Sequence, residues 1–267
     1  IPFFIIIIKD WQYKYKVKNK LNEITNRTVV VVGGNGNMGT MVSEFIDGLQ
    51  GYEVIGIIDP NNSGTKFNSL TFSDDVICDY MFEFSPSSVV NENIPKLINN
   101  KSKLIIGSSG VNNDSLELLK NANKAVSVIP NFSVGAAIQK LYSQKLTSIF
   151  PNVHIVEKHH KGKEDAPSGT SKDLASSLEN VKPSEISGDY YAVSNENSLN
   201  IYSLRSDEYL AEQEVVFSES YEEFILEHKV FDRKAYLSGV QLVLQEMEQQ
   251  NSYIHGLENL LNKSMDI

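Results

Sequence analysis

From Thr28 onward the hydrophobic pattern switches repeatedly between two periods. Thr28 to Val32 is a β-branched apolar run that ends at Gly33 and Gly34. Met38, Met41, Val42, Phe45, Ile46 and Leu49 then recur at spacings of three and four, which is one face of a helix. Glu53 to Ile58 is a second apolar run, and Val76–Phe84, Leu104–Ile106 and Ala125–Ile129 read as further buried strands. Polar helical stretches over 87–99 and 112–122 separate them. Short, wholly apolar strands alternating with helices predict an α/β fold built on a doubly wound parallel sheet.

The pattern changes after Pro130. The spacing predicts a helix over 134–149, a strand at Val153–Val156, and then a dense polar block over 157–170. Longer alternating strands are expected near 200–206, 212–218 and 222–231, followed by a helix from Tyr236 to Met247. Strands in succession, without intervening helices, predict a second domain of α+β type. The expected division is an N-terminal extension over 1–27, a dinucleotide-binding domain over 28–130, and a substrate-binding and oligomerisation domain over 131–235. C-terminal helices over 236–267 are expected to return to the nucleotide domain.

Composition narrows the classes without choosing among them. The chain has 267 residues, is 41% apolar and 22% charged, and carries a formal charge of −10, which suits a globular protein with ample core. The acidic balance argues against nonspecific nucleic-acid binding. A single cysteine, Cys78, rules out an internal disulfide framework and a Cys-rich metal site, and fits a reducing, cytoplasmic setting. Cys78 itself reads as a small buried hydrophobe in an apolar strand. Ile1–Ile8 is nearly all apolar and is followed by Lys9, Lys14, Lys16, Lys18 and Lys20. Eight residues are too few to span a bilayer, and the basic residues follow the apolar run where a secretory signal would put them first. The extension is expected to be poorly ordered, with an organelle-targeting remnant as the alternative.

Two segments carry candidate chemistry. Gly33-Gly34-Asn35-Gly36-Asn37-Met38-Gly39 joins a strand to a helix, and Gly34, Gly36 and Gly39 fit the spacing G-x-G-x-x-G. Such a loop brings backbone N–H groups and a helix N-terminus to a pyrophosphate. Asp59 ends the next strand, where an acid receives the ribose hydroxyls and repels a 2′-phosphate. Pro60, Asn61 and Asn62 follow, none of them cationic, and Lys66 is the nearest base, so NADH is favoured over NADPH. A tight turn with Asp59 as a simple cap is the alternative. The second segment, Glu157 to Thr170, places two histidines and three lysines within six residues. Histidine gives protons near neutral pH, lysine holds carboxylates, and Ser168-Gly169-Thr170 reads as a helix start that binds anions. Together they suit a small, multiply negative substrate that takes up a proton, against the alternative of a solvated charged loop. Adjacent His159 and His160 and the scattered His154, His228 and His255 do not make a metal site.

These landmarks together strongly resemble the 4-hydroxy-tetrahydrodipicolinate reductase (dihydrodipicolinate reductase) family. The family's G-x-x-G-x-M-G loop is present at 33–39, and its D-F-[ST]-x-P segment appears shifted, as Glu83-Phe84-Ser85-Pro86-Ser87. Its G-T-T-G loop reads Gly107-Ser108-Ser109-Gly110, its N-F-S-x-G is intact at 131–135, and its E-x-H-H-x-x-K-x-D-A-P-S-G-T signature is intact at 157–170. The resemblance covers about 28–250. It implies a Rossmann-type domain, a second domain with an open mixed sheet, a homotetramer, and NAD(P)H-dependent reduction of a cyclic dicarboxylate imine in lysine biosynthesis through diaminopimelate. It further implies His159 as general acid, Lys163 as its partner, and His160, Ser168, Gly169 and Thr170 as substrate contacts. Gly33 to Met38 and Asp59 would cradle the cofactor, and Gly107, Ser108, Ser109, Asn131 and Phe132 would line its nicotinamide side. Asn37 stands where many members have Arg, the segment from Thr170 to Ile201 is shorter than in long members, and Ala211-Glu212-Gln213 replaces a Gly-x-His pattern. Two other classes share the nucleotide loop: a non-catalytic nucleotide sensor, and another two-domain imine or amino-acid dehydrogenase. Neither requires the whole 157–170 signature.

Overall fold

The computed structural model describes residues 26–61 and 64–265, with side chains to Asn262. The expectations for the extension and for Asn62 therefore lie outside the described residues, apart from Asn26 and Arg27. A seven-stranded sheet runs in the order β13-β6-β5-β4-β1-β2-β3 and is parallel throughout. Its strands are β1 (Arg27–Val32), β2 (Tyr52–Ile58), β3 (Ser69–Leu70), β4 (Tyr80–Glu83), β5 (Lys103–Ile106), β6 (Val126–Val128) and β13 (Tyr253–His255). Strand β1 explains the layering. Val29 and Val31 enter one core with α1 (Asn37–Asp47), whereas Val30 and Val32 enter a second core with α2 (Val90–Asn99) and α3 (Asn113–Lys120). A strand buried on both faces must be apolar at every position, which is why it shows no alternation.

The apolar run at Val76–Phe84 is only partly strand. β4 starts at Tyr80, and residues 76–79 form a loop that leaves Ile77 84% exposed. Cys78 is therefore a half-buried loop residue, not a buried strand residue; burial pushes its thiol up to about 11.

A second sheet runs β12-β11-β7-β10-β9, from β7 (Asn152–His159), β9 (Ala192–Glu196), β10 (Leu199–Arg205), β11 (Ala211–Ser218) and β12 (Glu223–Val230). The short β8 (Lys182–Pro183) pairs with the start of β7. This sheet is mixed, because β7 runs parallel to β10 and antiparallel to β11. One face packs on α5 (Gly169–Ser177) through Val153, Ile155, Leu174 and Ala175. Segment 184–190 crosses the other face: Ser184 Oγ lies 2.7 Å from His154 Nδ1, and the Tyr190 ring packs on Tyr202.

Helix α4 (Val134–Leu146) serves both bodies. Ala137 and Leu141, one turn apart, enter the nucleotide-side core with Leu257, Leu260 and Leu261. Gln139, on the opposite face, donates to the backbone of Gln213 and Leu226 in the second sheet. The chain then returns: α6 (Leu237–Met247) and α7 (Leu257–Met265) pack on the first core, and β13 extends the parallel sheet beside β6. β13 is too short for its period to be read from sequence.

The glycine loop has almost no spare volume. Gly33 adopts φ +72°, and a Cβ on Gly39 would sit 2.1 Å from the Gly33 carbonyl oxygen. Gly39→Ala is therefore expected to open the loop, lowering both the unfolding temperature and NADH affinity. Thermal melts with a fluorescence titration check this; unchanged values in both would refute the packing argument.

Candidate active site

The catalytic candidates stand on the central strand of the second sheet. His159 ends β7, flanked by Arg205 on β10 and Ala211 on β11. Two residues earlier, Glu157 is fully buried. Its carboxylate accepts hydrogen bonds from the Ser168 amide at 2.8 Å, Ser171 Oγ at 2.8 Å, Ser203 Oγ at 2.8 Å and Arg205 Nη2 at 3.0 Å. Burial alone would raise its pKa, but the hydrogen bonds from Ser168, Ser203 and Ser171 overcome that and hold it down to about 2. Arg205 also donates to the carbonyls of Lys163 and Asp165, at 3.1 and 2.6 Å. One buried pair thus ties both ends of the 163–171 loop to the sheet.

That loop presents the polar groups. Lys163 Nζ holds both oxygens of Asp165, at 2.7 and 2.9 Å. Ser168 caps α5 and accepts from the Ser171 amide, with its own amide committed to Glu157. The amides of Gly169 and Thr170, at the same helix start, have no intrahelical acceptors, and both residues line the cavity. His159 Nδ1 is buried without a hydrogen-bond partner, 3.9 Å from Glu157 Oε2. Burial pushes the imidazole down to about 4; Glu157 opposes this, and Lys163 and Arg205 add to it. The resting ring is neutral near pH 7.

A cavity of about 670 Å³ joins these residues to the first sheet. Ser108, Ser109 and Asn131 line one side, and His159, His160, Lys163, Ser168, Gly169 and Thr170 the other. Asn131 Nδ2 donates to Thr170 Oγ1 at 3.2 Å, across the two bodies. Other expected residues lie outside the lining. Phe132 is buried, its ring against Phe84, so it supports the Gly107 turn from the core and does not present its side chain to a cofactor. Gly33 is packed on the backbone of Phe84 and Ser85, which places the glycine loop beside the C-terminal end of β4. Asn35, Gly36 and Asn37 are more open, and Met38 packs on the first core. Asp59 accepts from the amides of Asn35 and Asn61, at 3.0 and 2.9 Å. Glycines that a Cβ would block, a helix start and a carboxylate at the next strand end fit a dinucleotide.

Glu157 belongs to the 157–170 signature and Arg205 to the strand expected near 200–206, but the sequence assigns neither a role. A Glu and an Arg separated by nearly fifty residues signal nothing until β7 and β10 are paired. Gln213, at the departure from the Gly-x-His pattern, places its Oε1 2.6 Å from Ser171 Oγ and donates to Gln139, so it buttresses α5.

Comparison with known proteins places this architecture. Residues 27–132 match the family "Dihydrodipicolinate reductase, N-terminus", and residues 133–261 match "Dihydrodipicolinate reductase, C-terminus". The chain belongs to the dihydrodipicolinate reductase family. The 4-hydroxy-tetrahydrodipicolinate reductase of Streptococcus uberis is 27% identical over 251 residues, 87% of this chain and 98% of that protein. That of Lactobacillus acidophilus is 26% identical over 257 residues, 88% of this chain and 98% of its own length. A dipicolinate-bound dihydrodipicolinate reductase from Paenisporosarcina sp. TG-14 shares the fold with a TM-score of 0.74 at 23% identity, covering 88% of this chain and 99% of that one.

Removing one partner of the buried pair strands the other. Glu157→Ala is expected to cost roughly 3–5 kcal/mol in chemical denaturation, by leaving Arg205 unpaired. Because the folded pKa is depressed, the wild-type contribution is complete above 4.5 and fades as pH falls toward about 2. Glu157→Gln should flatten that acid limb.

Proposed function

We propose that this chain is an NAD(P)H-dependent oxidoreductase that converts the cyclic dicarboxylate imine 4-hydroxy-tetrahydrodipicolinate to tetrahydrodipicolinate, the 4-hydroxyl leaving as water to give a conjugated ring that then takes up a hydride and a proton, in lysine biosynthesis through diaminopimelate. The observation that carries the reading is one cavity that gathers the Ser108–Ser109 turn, Asn131 and the His159–Thr170 block. The glycine loop and Asp59 would hold the pyrophosphate and ribose of a dinucleotide, whose reduced nicotinamide, beside the Ser108–Ser109 turn, would supply the hydride.

The chain's own residues do the rest. Gly169 and Thr170 amides and His160 receive the substrate carboxylates. Lys163 supplies a further positive charge, shared in the resting site with Asp165. Fixing a cyclic dianion at several points keeps the ring in register and converts binding energy into orientation. His159 delivers the proton that neutralises the charge gained by the ring. The neutral resting imidazole suits this role, because an incoming dianion favours its charged form. Protonation is thereby coupled to occupancy, and the site holds no excess proton when empty.

NADH is the favoured cofactor. Asp59 sits where a 2′-phosphate would approach, and Lys66 is drawn away to Asp47 at 2.9 Å. A homotetramer is supported by Val193 and Ile225, both about half exposed on the sheet face turned from α5. The division near residue 130 and a cytoplasmic location belong to the same reading. Among the described residues no helix is long and apolar enough to cross a membrane.

His159→Gln is expected to cut turnover about 10²–10⁴-fold while leaving NADH affinity unchanged. The assay follows oxidation of reduced nicotinamide, with substrate made in situ by a synthase from pyruvate and aspartate semialdehyde. Full turnover by the variant would remove His159 from the role. Run with both cofactors, the same assay should favour NADH. Binding of pyridine-2,6-dicarboxylate near pH 6 should take up a proton, seen by calorimetry in buffers of different ionisation enthalpy. Proton-neutral binding would show that His159 does not respond to the dianion.

A further inference from the structure

Deeper in the same cavity, Lys140 on α4 bridges two carboxylates. Its Nζ lies 2.6 Å from Asp173 Oδ2 on α5 and 2.8 Å from Glu258 Oε1 on α7. The lysine and Glu258 side chains are each 14% exposed, and Asp173 is 65% exposed. These three helices do not belong to one body. α4 and α7 share the nucleotide-side core, whereas α5 packs on the second sheet. Asp173 follows Gly169 and Thr170 by four and three residues, so it lies on the same helix face as the two residues at the anion-binding end.

We propose that Lys140 is a positioning residue: anchored by Glu258, it grips Asp173 and fixes α5 so that Gly169 and Thr170 face the Ser108–Ser109 turn. The inference rests on the proposed reaction only in naming a dicarboxylate as the ligand that α5 receives. Two features make the grip a reversible latch and not a permanent brace. The Lys140–Glu258 contact lies within one body, so release of Asp173 leaves no buried charge unpaired. Asp173 is largely in water, so its bond to Lys140 is weak enough to break during turnover. Hydrogen bonds from Asn131 to Thr170, at the first turn of α5, and from Gln144 on α4 to the Ser177 carbonyl, at its last, cross the same gap.

Asp173→Asn tests this cleanly, because Lys140 keeps Glu258. The variant should raise substrate KM and the Kd for pyridine-2,6-dicarboxylate roughly three- to fivefold. NADH affinity and the unfolding temperature should stay at wild-type values. Glu258→Gln should do the reverse, lowering the unfolding temperature and sparing KM. The KM gap between wild type and Asp173→Asn should narrow as salt screens the pair. Unchanged KM in Asp173→Asn, or parallel losses of stability and every kinetic constant in both variants, would overturn the latch. Hydrogen exchange without ligand separates this from failure of the reaction itself. Asp173→Asn should speed exchange in α5 and not in α7, even if wild type left the imine unreduced; equal exchange in α5 would count against the latch.

Discussion

The site depends on a carboxylate that never meets solvent. Glu157 is buried at the centre of the second sheet, and every strong donor near it belongs to a segment that must be held: Ser168 and Ser171 at the start of α5, Ser203 and Arg205 on β10. A buried ion earns little net stability, since desolvation offsets most of the attraction. What this one supplies is definition. Arg205 reaches onward to the carbonyls of Lys163 and Asp165, so a loop rich in lysine and histidine is fastened from below. Without that internal counter-charge, the cationic groups around His159 would have no fixed arrangement to offer a dianion.

The same carboxylate frames the acid–base chemistry. His159 lies near enough to feel Glu157 but makes no hydrogen bond to it. Burial dominates, opposed by Glu157 and reinforced by Lys163 and Arg205, and holds the imidazole below its usual range. The pocket is not cationic by count: Lys140, Lys163 and Arg233 share its lining with Asp165, Asp173, Glu212 and Glu258.

The first sheet meets a different constraint. Its strands are covered on both faces, so its functional groups can appear only where strands end. Asp59 follows β2, Glu83 closes β4, and the Gly107 turn follows β5. Glu83 is buried there, with Ser85, Asn93 and Ser108 hydrogen-bonded to it. Burial raises its pKa, against those hydrogen bonds. It anchors the turn that lines the cavity, much as Glu157 anchors the loop opposite.

The periodicity by itself determined the alternation of strands and helices to Ile129, because strands buried on both faces and amphipathic helices leave opposite signatures. The long, ordered signature at 157–170 determined the family. Tertiary structure decided the rest. Val76 to Asp79 are as apolar as a strand in part, yet form a loop, since strand length is set by pairing with β1 and β5 and not by hydrophobicity. Phe132 looked available beside Asn131, but its ring is buried against Phe84. β13, Gln213, Arg205 and Lys140 acquired meaning only through partners distant in sequence. A periodic pattern reports which face of an element is buried; it carries no record of which distant charge that face will meet.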